Sequence, residues 1–525
     1  MTNRTLPVKK YLSITASLCT GILLFLSFPP FGYSFCGWIA LIPLLLACAG
    51  AAPRRAAFLG WLAGAIFFLS SFYWLRHVTW LGAIGLAFYC ALYVMPFAVF
   101  VSLRRCAWRS ADGLKNIGWM LGAAAVWAAS EYVRAIFATG FPWNLLGVSQ
   151  YKNLPIIQIA EWGGVYALSA LIVFVNAAFA STILQYAAGL RRTYRMHIEM
   201  MCALLAVAAV WSFGIHRILN RPAAHEEPVR VALVQPNIPE VGNWEPADPE
   251  LAYKRLEELT ALAQHTSGLD LIIWPETTLP DFVRFSERSA GLVKKLVTNG
   301  VPILVGSMDV VWRADGHPDY YNASMLFNTK CELLGTYYKQ HLVLFGEYIP
   351  FEGKIALINA LTPIGSSFAS GRSAALLKRP GDNRGFCVLI CFEDSLPYLA
   401  RNAARAGATL LVNQTNDSWF DPDCGSAQHL ANAVFRCVET RLPMLRCANT
   451  GITCAIDSFG CITQTLAPRT QGFQITETVP ASLEHEATVY VRFGDFFAQA
   501  CLAGSVALFI ILLIKRRKSS ACSKN

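Results

Sequence analysis

Long apolar runs occupy the first 217 residues and the last 31 residues of the chain. A helix needs about 20 apolar residues to cross a bilayer, and eight runs approach that length. We therefore predict a bundle of eight transmembrane helices, near residues 11–29, 34–51, 57–75, 80–103, 116–137, 162–187, 199–217 and 495–514. No small-residue cleavage site follows the first run, so we interpret it as an uncleaved span rather than a signal peptide.

The segment between the seventh and eighth runs has a different pattern, in which short apolar stretches alternate with amphipathic ones. Strands are predicted at 229–235, 269–274, 302–307, 332–338, 385–390, 407–412, 444–448, 452–457 and 486–492, and helices at 248–265 and 287–299. This alternation predicts an α/β domain with a β-rich second half. The predicted domains are a seven-helix membrane domain at 1–217, a polar domain at 218–494, and an eighth helix with a basic tail at 495–525.

Composition and charge agree with a membrane protein. Of 525 residues, 54% are hydrophobic and 15% are charged, whereas soluble proteins carry about 25% charged residues. The net charge of +10 lies mostly in short loops between apolar runs, which indicates membrane orientation rather than nucleic-acid binding. The sixteen cysteines are too scattered for a zinc site, so no metal is expected.

Loop charges predict the orientation of the chain. Basic residues cluster before the first run, in alternate loops and in the C-terminal tail, for example at Arg54, Arg55, Arg191, Arg192 and Lys515. With eight spans all of these clusters fall on one side, so both termini are expected in the cytoplasm. The polar domain is then expected outside the cytoplasm.

Three short motifs in this domain carry candidate chemistry, each after a strand-like run. W-P-E ends at Glu276, Y-Y-K ends at Lys339, and L-I-C-F-E contains Cys391. A carboxylate base, a cation and a thiol nucleophile are the groups that form and break an acyl-enzyme. Taken singly, each residue is more often a solvated or packed side chain. Glu347 is either a second carboxylate that orients Lys339 or a surface salt bridge.

No serine motif of the form G-x-S-x-G competes with these residues, and His341 and His429 are interpreted as structural histidines. Eight cysteines lie in the domain, and sequence alone does not assign disulfide partners among them.

The ordered motifs W-P-E, Y-Y-K-Q-H-L-V-L-F-G-E and C-F-E resemble the nitrilase superfamily. With V-Q-P-N-I at 234–238, N-D-S-W-F at 416–420, A-N-T-G-I-T at 448–453 and T-G-F-P-W at 139–143, the chain is similar to its membrane-embedded branch, the apolipoprotein N-acyltransferases. Two positions depart from the common pattern: Leu344 replaces a proline, and Phe392 replaces a tyrosine.

The resemblance implies an αββα sandwich, a Glu276–Lys339–Cys391 triad supported by Glu347 and Glu393, and substrate contacts from Trp244, Phe392 and Trp419. It implies acyl transfer from a membrane phospholipid, typically phosphatidylethanolamine, to the N-terminal diacylglyceryl-cysteine of apolipoproteins. No cofactor is expected. The expected form is a monomer in the bacterial inner membrane with a periplasmic catalytic domain.

Two other interpretations remain open at this point. One is a membrane-tethered amidase or nitrilase, although eight spans exceed what a tether needs. The other is a transporter or receptor with an external binding module, although the spans lack the charge pairs and broken helices typical of a permeation path.

Overall fold

The computed structural model describes residues 10–103, 112–189, 197–221, 226–239, 248–344, 346–349, 367–420, 424–484 and 486–522. The chain divides into two compact units. A helical unit comprises Met1–Arg221 with Phe493–Asn525, and an α/β unit comprises Pro222–Arg492.

The elements follow in chain order. The helices are α1 (Lys10–Leu26), α2 (Ile42–Cys48), α3 (Pro53–Ser71), α4 (Trp80–Leu92), α5 (Met95–Leu103), α6 (Gly113–Ile136), α7 (Leu154–Ile157), α8 (Ala160–Ala187), α9 (Ile198–Leu219), α10 (Pro249–Gln264), α11 (Glu287–Val297), α12 (Pro397–Arg405), α13 (Gly425–Thr440), α14 (Val489–Phe493) and α15 (Phe496–Cys522). The strands are β1 (Val229–Gln235), β2 (Leu271–Ile273), β3 (Ile303–Trp312), β4 (Pro318–Phe327), β5 (Leu333–Tyr338), β6 (Leu377–Lys378), β7 (Gly385–Ile390), β8 (Ala408–Thr415), β9 (Met444–Ala448), β10 (Thr453–Ile456), β11 (Ile462–Leu466) and β12 (Gly472–Thr478).

Four helical segments of the helical unit are long and apolar enough to cross a membrane, counted over the described residues. They are Trp80–Leu103, Ala160–Ala187, Ile198–Leu219 and Phe496–Lys515. Two shorter apolar segments, Tyr11–Leu26 and Ser34–Cys48, lie in the first two predicted spans. Four spans thus have direct support, and the count of eight stays a prediction.

Helix α6 carries two buried ionisable side chains that hold the loop from Phe141 to Leu146, which includes the end of the T-G-F-P-W motif. The Glu131 carboxylate accepts a hydrogen bond from the backbone N–H of Leu146 at 2.6 Å. The Arg134 guanidinium donates to the carbonyl oxygens of Phe141 and Trp143, both at 2.8 Å. Both side chains therefore fix the loop backbone.

The α/β unit is built around two six-stranded sheets, with strand orders β12-β1-β2-β3-β4-β5 and β11-β10-β9-β8-β7-β6. Alternate residues of a strand point to opposite faces of its sheet. In β1, Ala232 and Val234 pack in a core with Leu256 of α10 and Leu296 of α11. Val231 and Leu233 of the same strand pack in the core between the two sheets, against residues such as Val388 and Val412. With α12 packed on β7 and β8 of the second sheet and α13 packed on α12, the unit has the αββα order that the resemblance implied.

Most of the elements predicted for this unit are present, and one prediction is wrong. Residues 486–492 were predicted as a strand, but Val489–Phe493 is a helix. The Thr488 hydroxyl accepts a hydrogen bond from the N–H of Val491 at 3.0 Å and donates to the carbonyl of Glu439 at 2.6 Å. This side-chain cap favours a helical turn over an extended chain. Strands β4, β6, β11 and β12 and helices α12 and α13 were not predicted.

Parallel pairing brings the ends of several strands to one edge of each sheet. In the first sheet β2 pairs in parallel with β1 and β3, and in the second sheet β8 pairs in parallel with β7 and β9. The carboxyl ends of such strands are where sites form in open α/β sheets. The turn after β2 also fits tightly on β3, because a Cβ at Gly306 would lie 2.0 Å from the carbonyl oxygen of Pro275.

Candidate active site

The three candidate catalytic residues all follow strand ends. Lys339 and Cys391 come directly after β5 and β7, and Glu276 comes three residues after β2. Lys339 is 0% exposed, Cys391 is 7% exposed and Glu276 is 1% exposed. Such low exposure places two charges and a thiol out of water, so each needs specific partners.

Glu276 is held by three hydrogen bonds. Its Oε1 accepts from the Nδ2 of Asn322 at 2.8 Å and from the Nζ of Lys339 at 3.2 Å, and its Oε2 accepts from the N–H of Asn416 at 2.8 Å. Burial raises the pKa of Glu276 above its ordinary value, the Lys339 charge opposes the shift, and the charge of Glu347 adds to it. A carboxylate with a raised pKa is a better proton acceptor near neutral pH.

Lys339 lies between two carboxylates. Its Nζ is 2.6 Å from the Oε1 of Glu347 and 3.2 Å from the Oε1 of Glu276. Although burial alone would lower it, these carboxylates hold the pKa of Lys339 well above its ordinary value. The ammonium is therefore fixed as a permanent cation, as electrostatic stabilisation of an oxyanion requires.

Glu347 is itself anchored to the loop that carries it. Its Oε2 accepts from the N–H of Val343 at 2.9 Å, and its own N–H donates to the carbonyl of Val343 at 2.8 Å. The sequence left open whether Glu347 orients Lys339 or forms a surface salt bridge. In the structure Glu347 is 0% exposed and its carboxylate contacts the Lys339 ammonium.

Cys391 has a strained backbone and a protonated thiol. Its φ is +51°, a left-handed conformation that costs a non-glycine residue about 1 kcal/mol or more. Burial and the Glu276 carboxylate raise the pKa of the thiol well above its ordinary value, while Lys339 and Thr415 oppose the shift. The thiol is therefore neutral at rest, and reaction requires that a base remove its proton.

Glu393 braces the backbone around Cys391. Its Oε1 accepts from the N–H groups of Gln340 and His341 at 2.7 and 3.0 Å, and its Oε2 accepts from Ile390 N–H at 2.7 Å and from the Tyr337 hydroxyl at 2.8 Å. These contacts tie the chain after Lys339 to the end of β7. Burial raises the pKa of Glu393 to about 7.

The three predicted substrate contacts have different outcomes. Phe392 is buried, and its ring stacks on His341 with centroids 5.9 Å apart. Burial, followed by the Lys339 charge, lowers the pKa of His341 to about 4, so this imidazole is neutral. Trp244 and the side chain of Trp419 lie outside the described residues.

Sequence reasoning missed two polar groups that complete the site. Asn322, on β4, donates from one Nδ2 to both Glu276 at 2.8 Å and Glu347 at 3.3 Å. Asn416, after β8, supplies the backbone N–H on Glu276. A lone asparagine in the buried half of a strand was the available signal for Asn322, but β4 itself was not predicted.

The described residues contain no cluster of three or more His, Cys, Asp or Glu side chains suited to a metal. The groups present can accept a proton, hold a cation beside a developing negative charge, and supply a thiol to a carbonyl carbon. This set fits acyl transfer through a covalent intermediate.

Comparison with known families assigns both units. Residues 20–178 match the family described as the apolipoprotein N-acyltransferase N-terminal domain, and residues 230–485 match the carbon-nitrogen hydrolase family. A protein named apolipoprotein N-acyltransferase from Geobacter metallireducens is 36% identical, covering 98% of this chain and 97% of that relative. A protein of the same name from Chlorobaculum tepidum is 30% identical, covering 95% and 96%.

Solved structures of lower similarity belong to the nitrilase superfamily. Saccharomyces cerevisiae Nit3, a member of its branch 10, is 18% identical with a TM-score of 0.37, covering 49% of this chain and 92% of that chain.

Proposed function

Because the chain belongs to the apolipoprotein N-acyltransferase family, it is an acyltransferase that N-acylates lipoproteins, and we propose that it acts through a thioester on Cys391. The observation that carries this mechanism is the joint burial of Glu276, Lys339 and Cys391, with Glu276 and Lys339 in direct contact.

In the first step, Glu276 takes the thiol proton as Sγ attacks the ester carbonyl carbon of a phospholipid. The Lys339 ammonium stabilises the oxyanion that forms. The intermediate then collapses, and the C–O bond breaks. The leaving lysophospholipid oxygen receives the proton from Glu276, and the acyl group stays on Cys391 as a thioester.

In the second step, the α-amine of a diacylglyceryl-cysteine attacks the thioester carbonyl carbon. Glu276 accepts a proton from the amine, Lys339 again stabilises the oxyanion, and the C–S bond breaks. The Cys391 thiolate recovers the proton. The raised pKa values of Glu276 and Cys391 support this role, because a neutral resting thiol avoids unproductive side reactions and still has a matched base.

The membrane topology, the acyl donor and the oligomeric state are part of the same proposal. The four apolar helices and the family make this an inner-membrane protein. We further propose eight spans with both termini in the cytoplasm and a periplasmic α/β unit, which the alternating basic loops support. Phosphatidylethanolamine as donor and a monomeric state rest on the resemblance alone.

The direct test uses the full chain in phospholipid nanodiscs. Intact-mass measurement should show one added acyl group on the wild-type protein and none on Cys391→Ala. Addition of a diacylglyceryl-cysteine peptide should discharge the adduct and give N-acyl peptide. Cys331→Ala, in the half-buried turn between β4 and β5, is the matched control and should behave as wild type.

An acyl adduct that persists in Cys391→Ala would refute the nucleophile. Turnover of a water-soluble amide without any N-acyl peptide would favour the tethered amidase instead.

A further inference from the structure

A buried cluster of four charged side chains lies beneath the nucleophile and takes no part in the proton transfers above. His429 on α13 contacts Asp394 through Nε2 at 2.8 Å and Asp417 through Nδ1 at 3.1 Å. Arg446 on β9 contacts the same two carboxylates at 2.5 and 3.2 Å. All four residues are at most 2% exposed. Buried charges are retained where they are mutually paired.

The contacts assign a proton to the Nε2 of His429. This nitrogen lies 2.8 Å from the Oδ1 of Asp394 and 3.2 Å from the carbonyl oxygen of Cys391, and both of these atoms only accept hydrogen bonds. Although burial alone would lower it, Asp394 and Asp417 raise the pKa of His429 to about 8, against the opposing charge of Arg446. The Nη2 of Arg446 also lies 2.9 Å from the Nδ1 of His429. Because a guanidinium only donates, Nδ1 accepts this contact, which leaves Nε2 as the nitrogen that donates to the Cys391 carbonyl.

The cluster reaches the nucleophile through its backbone. The Cys391 carbonyl oxygen faces two donors at 3.2 Å, the Nε2 of His429 and the Nδ2 of Asn413. Asn413 is in turn held by Arg446, which donates to its Oδ1 at 2.7 Å. Two oriented donors thus meet on the carbonyl of a residue whose φ is +51°.

We propose that His429 is a positioning residue: with Asn413 it clamps the Cys391 carbonyl and keeps the nucleophile in its left-handed conformation. The direction of a carbonyl follows the ψ of its own residue, so two donors on it hold the backbone that carries Sγ. Because the peptide is planar, the clamp also fixes the N–H of Phe392 on the opposite side. This inference rests on the proposed role of Cys391.

Neighbouring residues hold the Asp417 carboxylate of this cluster in place. The Thr415 hydroxyl donates to the Oδ1 of Asp417 at 2.9 Å. A Cβ at Gly451 would lie 2.1 Å from the Oδ2 of Asp417, so a glycine is needed there for the carboxylate to reach His429 and Arg446. The stretches N-D-S-W-F and A-N-T-G-I-T therefore contact each other at this cluster.

Two variants that both replace the imidazole with a neutral amide separate positioning from folding. In His429→Gln the amide N–H can occupy the place of Nε2, whereas in His429→Asn the shorter amide occupies the place of Nδ1 and leaves the carbonyl without this donor. We measure single-turnover acylation of Cys391 by intact mass, the lipid concentration that gives half the maximal rate, and the thermal midpoint, on the full chain in nanodiscs. His317→Gln and His317→Asn, at an exposed turn, are the matched controls.

His429→Asn should acylate about 10- to 100-fold more slowly than wild type, as expected for the loss of one buried hydrogen bond. His429→Gln should recover at least about tenfold over His429→Asn, with the half-saturating lipid concentration unchanged in both. Equal acylation rates in the two variants, or wild-type rates in both, would overturn the positioning role. Absence of a thioester in the wild type would instead refute the proposed function.

If neither variant folds, Asn413→Asp tests the same contact from the other donor. It keeps the acceptor for Arg446 and removes the N–H groups that Asn413 donates to the carbonyls of Cys391 and Leu389. Slower acylation at an unchanged thermal midpoint supports the clamp, and a wild-type rate contradicts it.

Discussion

Glu347 is the second carboxylate on Lys339, and it changes how well Glu276 can act as a base. Burial is the larger cause of the raised pKa of Glu276, and the negative charge of Glu347 raises this pKa further. Both carboxylates accept from the same ammonium and the same Asn322 amide. The basicity of one group is therefore set by its neighbour rather than by its own hydrogen bonds alone.

This coupling predicts the effect of Glu347→Gln on pH dependence. Without the second negative charge, the pKa of Glu276 falls, so the acidic limb of the acylation rate should shift to lower pH. The maximal rate should also fall, by about tenfold, because a weaker base transfers the proton less readily. Single-turnover acylation measured across pH checks this.

Glu332→Gln, in a surface turn, serves as the control and should leave the profile in place. An acidic limb that moves to higher pH in Glu347→Gln would contradict the coupling.

At the scale of elements, the site depends on how closely the turn after β2 lies against β3. A Cβ at Gly306 would be 2.0 Å from the Pro275 carbonyl and 2.8 Å from the Cα of Glu276. Both contacts are to backbone, which cannot rotate away as a side chain can. The position of Glu276, the proposed base, is thus fixed by strand packing.

Gly306→Ala should therefore displace Glu276. We expect a loss of about 1–3 kcal/mol in stability from overpacking and a fall of about 100-fold in acylation, because a shift of about 1 Å can have that effect on a catalytic group. Gly291→Ala is the matched control: this exposed position in α11 has open space around it, and alanine should stabilise the helix by up to about 1 kcal/mol. Wild-type acylation by Gly306→Ala would show that the close packing is dispensable.

At the scale of the whole molecule, the alternating basic loops and the family together define a membrane enzyme whose orientation can be tested. Protease added to spheroplasts should cut the α/β unit and spare a tag on the C-terminus, because the proposed eight-span topology would put them on opposite sides. Disrupted membranes should lose the tag as well. Loss of the tag in intact spheroplasts would show that the C-terminus lies outside and would contradict eight spans with both termini in the cytoplasm.

Local patterns of the chain predict much of the architecture. The length of the apolar runs predicts the four long spans. Short apolar stretches between amphipathic ones predict β1, β7 and β9 at their observed bounds. Strand β4 was missed because its first residues, from Pro318 to Tyr321, are polar or partly exposed and only its second half is buried. Residues 486–492 were mistaken for a strand because alternation alone does not reveal the Thr488 cap.

The sequence by itself determined the membrane and α/β regions and the three chemical motifs, because hydrophobic periodicity and strand-end residues are local properties of the chain. Only the tertiary structure decided that Asn322 joins the two carboxylates, that Glu393 braces backbone, and that His429 lies beneath Cys391. These contacts include pairs of residues 25 to 53 positions apart. They depend on how strands pair and sheets pack, which no short stretch of sequence specifies.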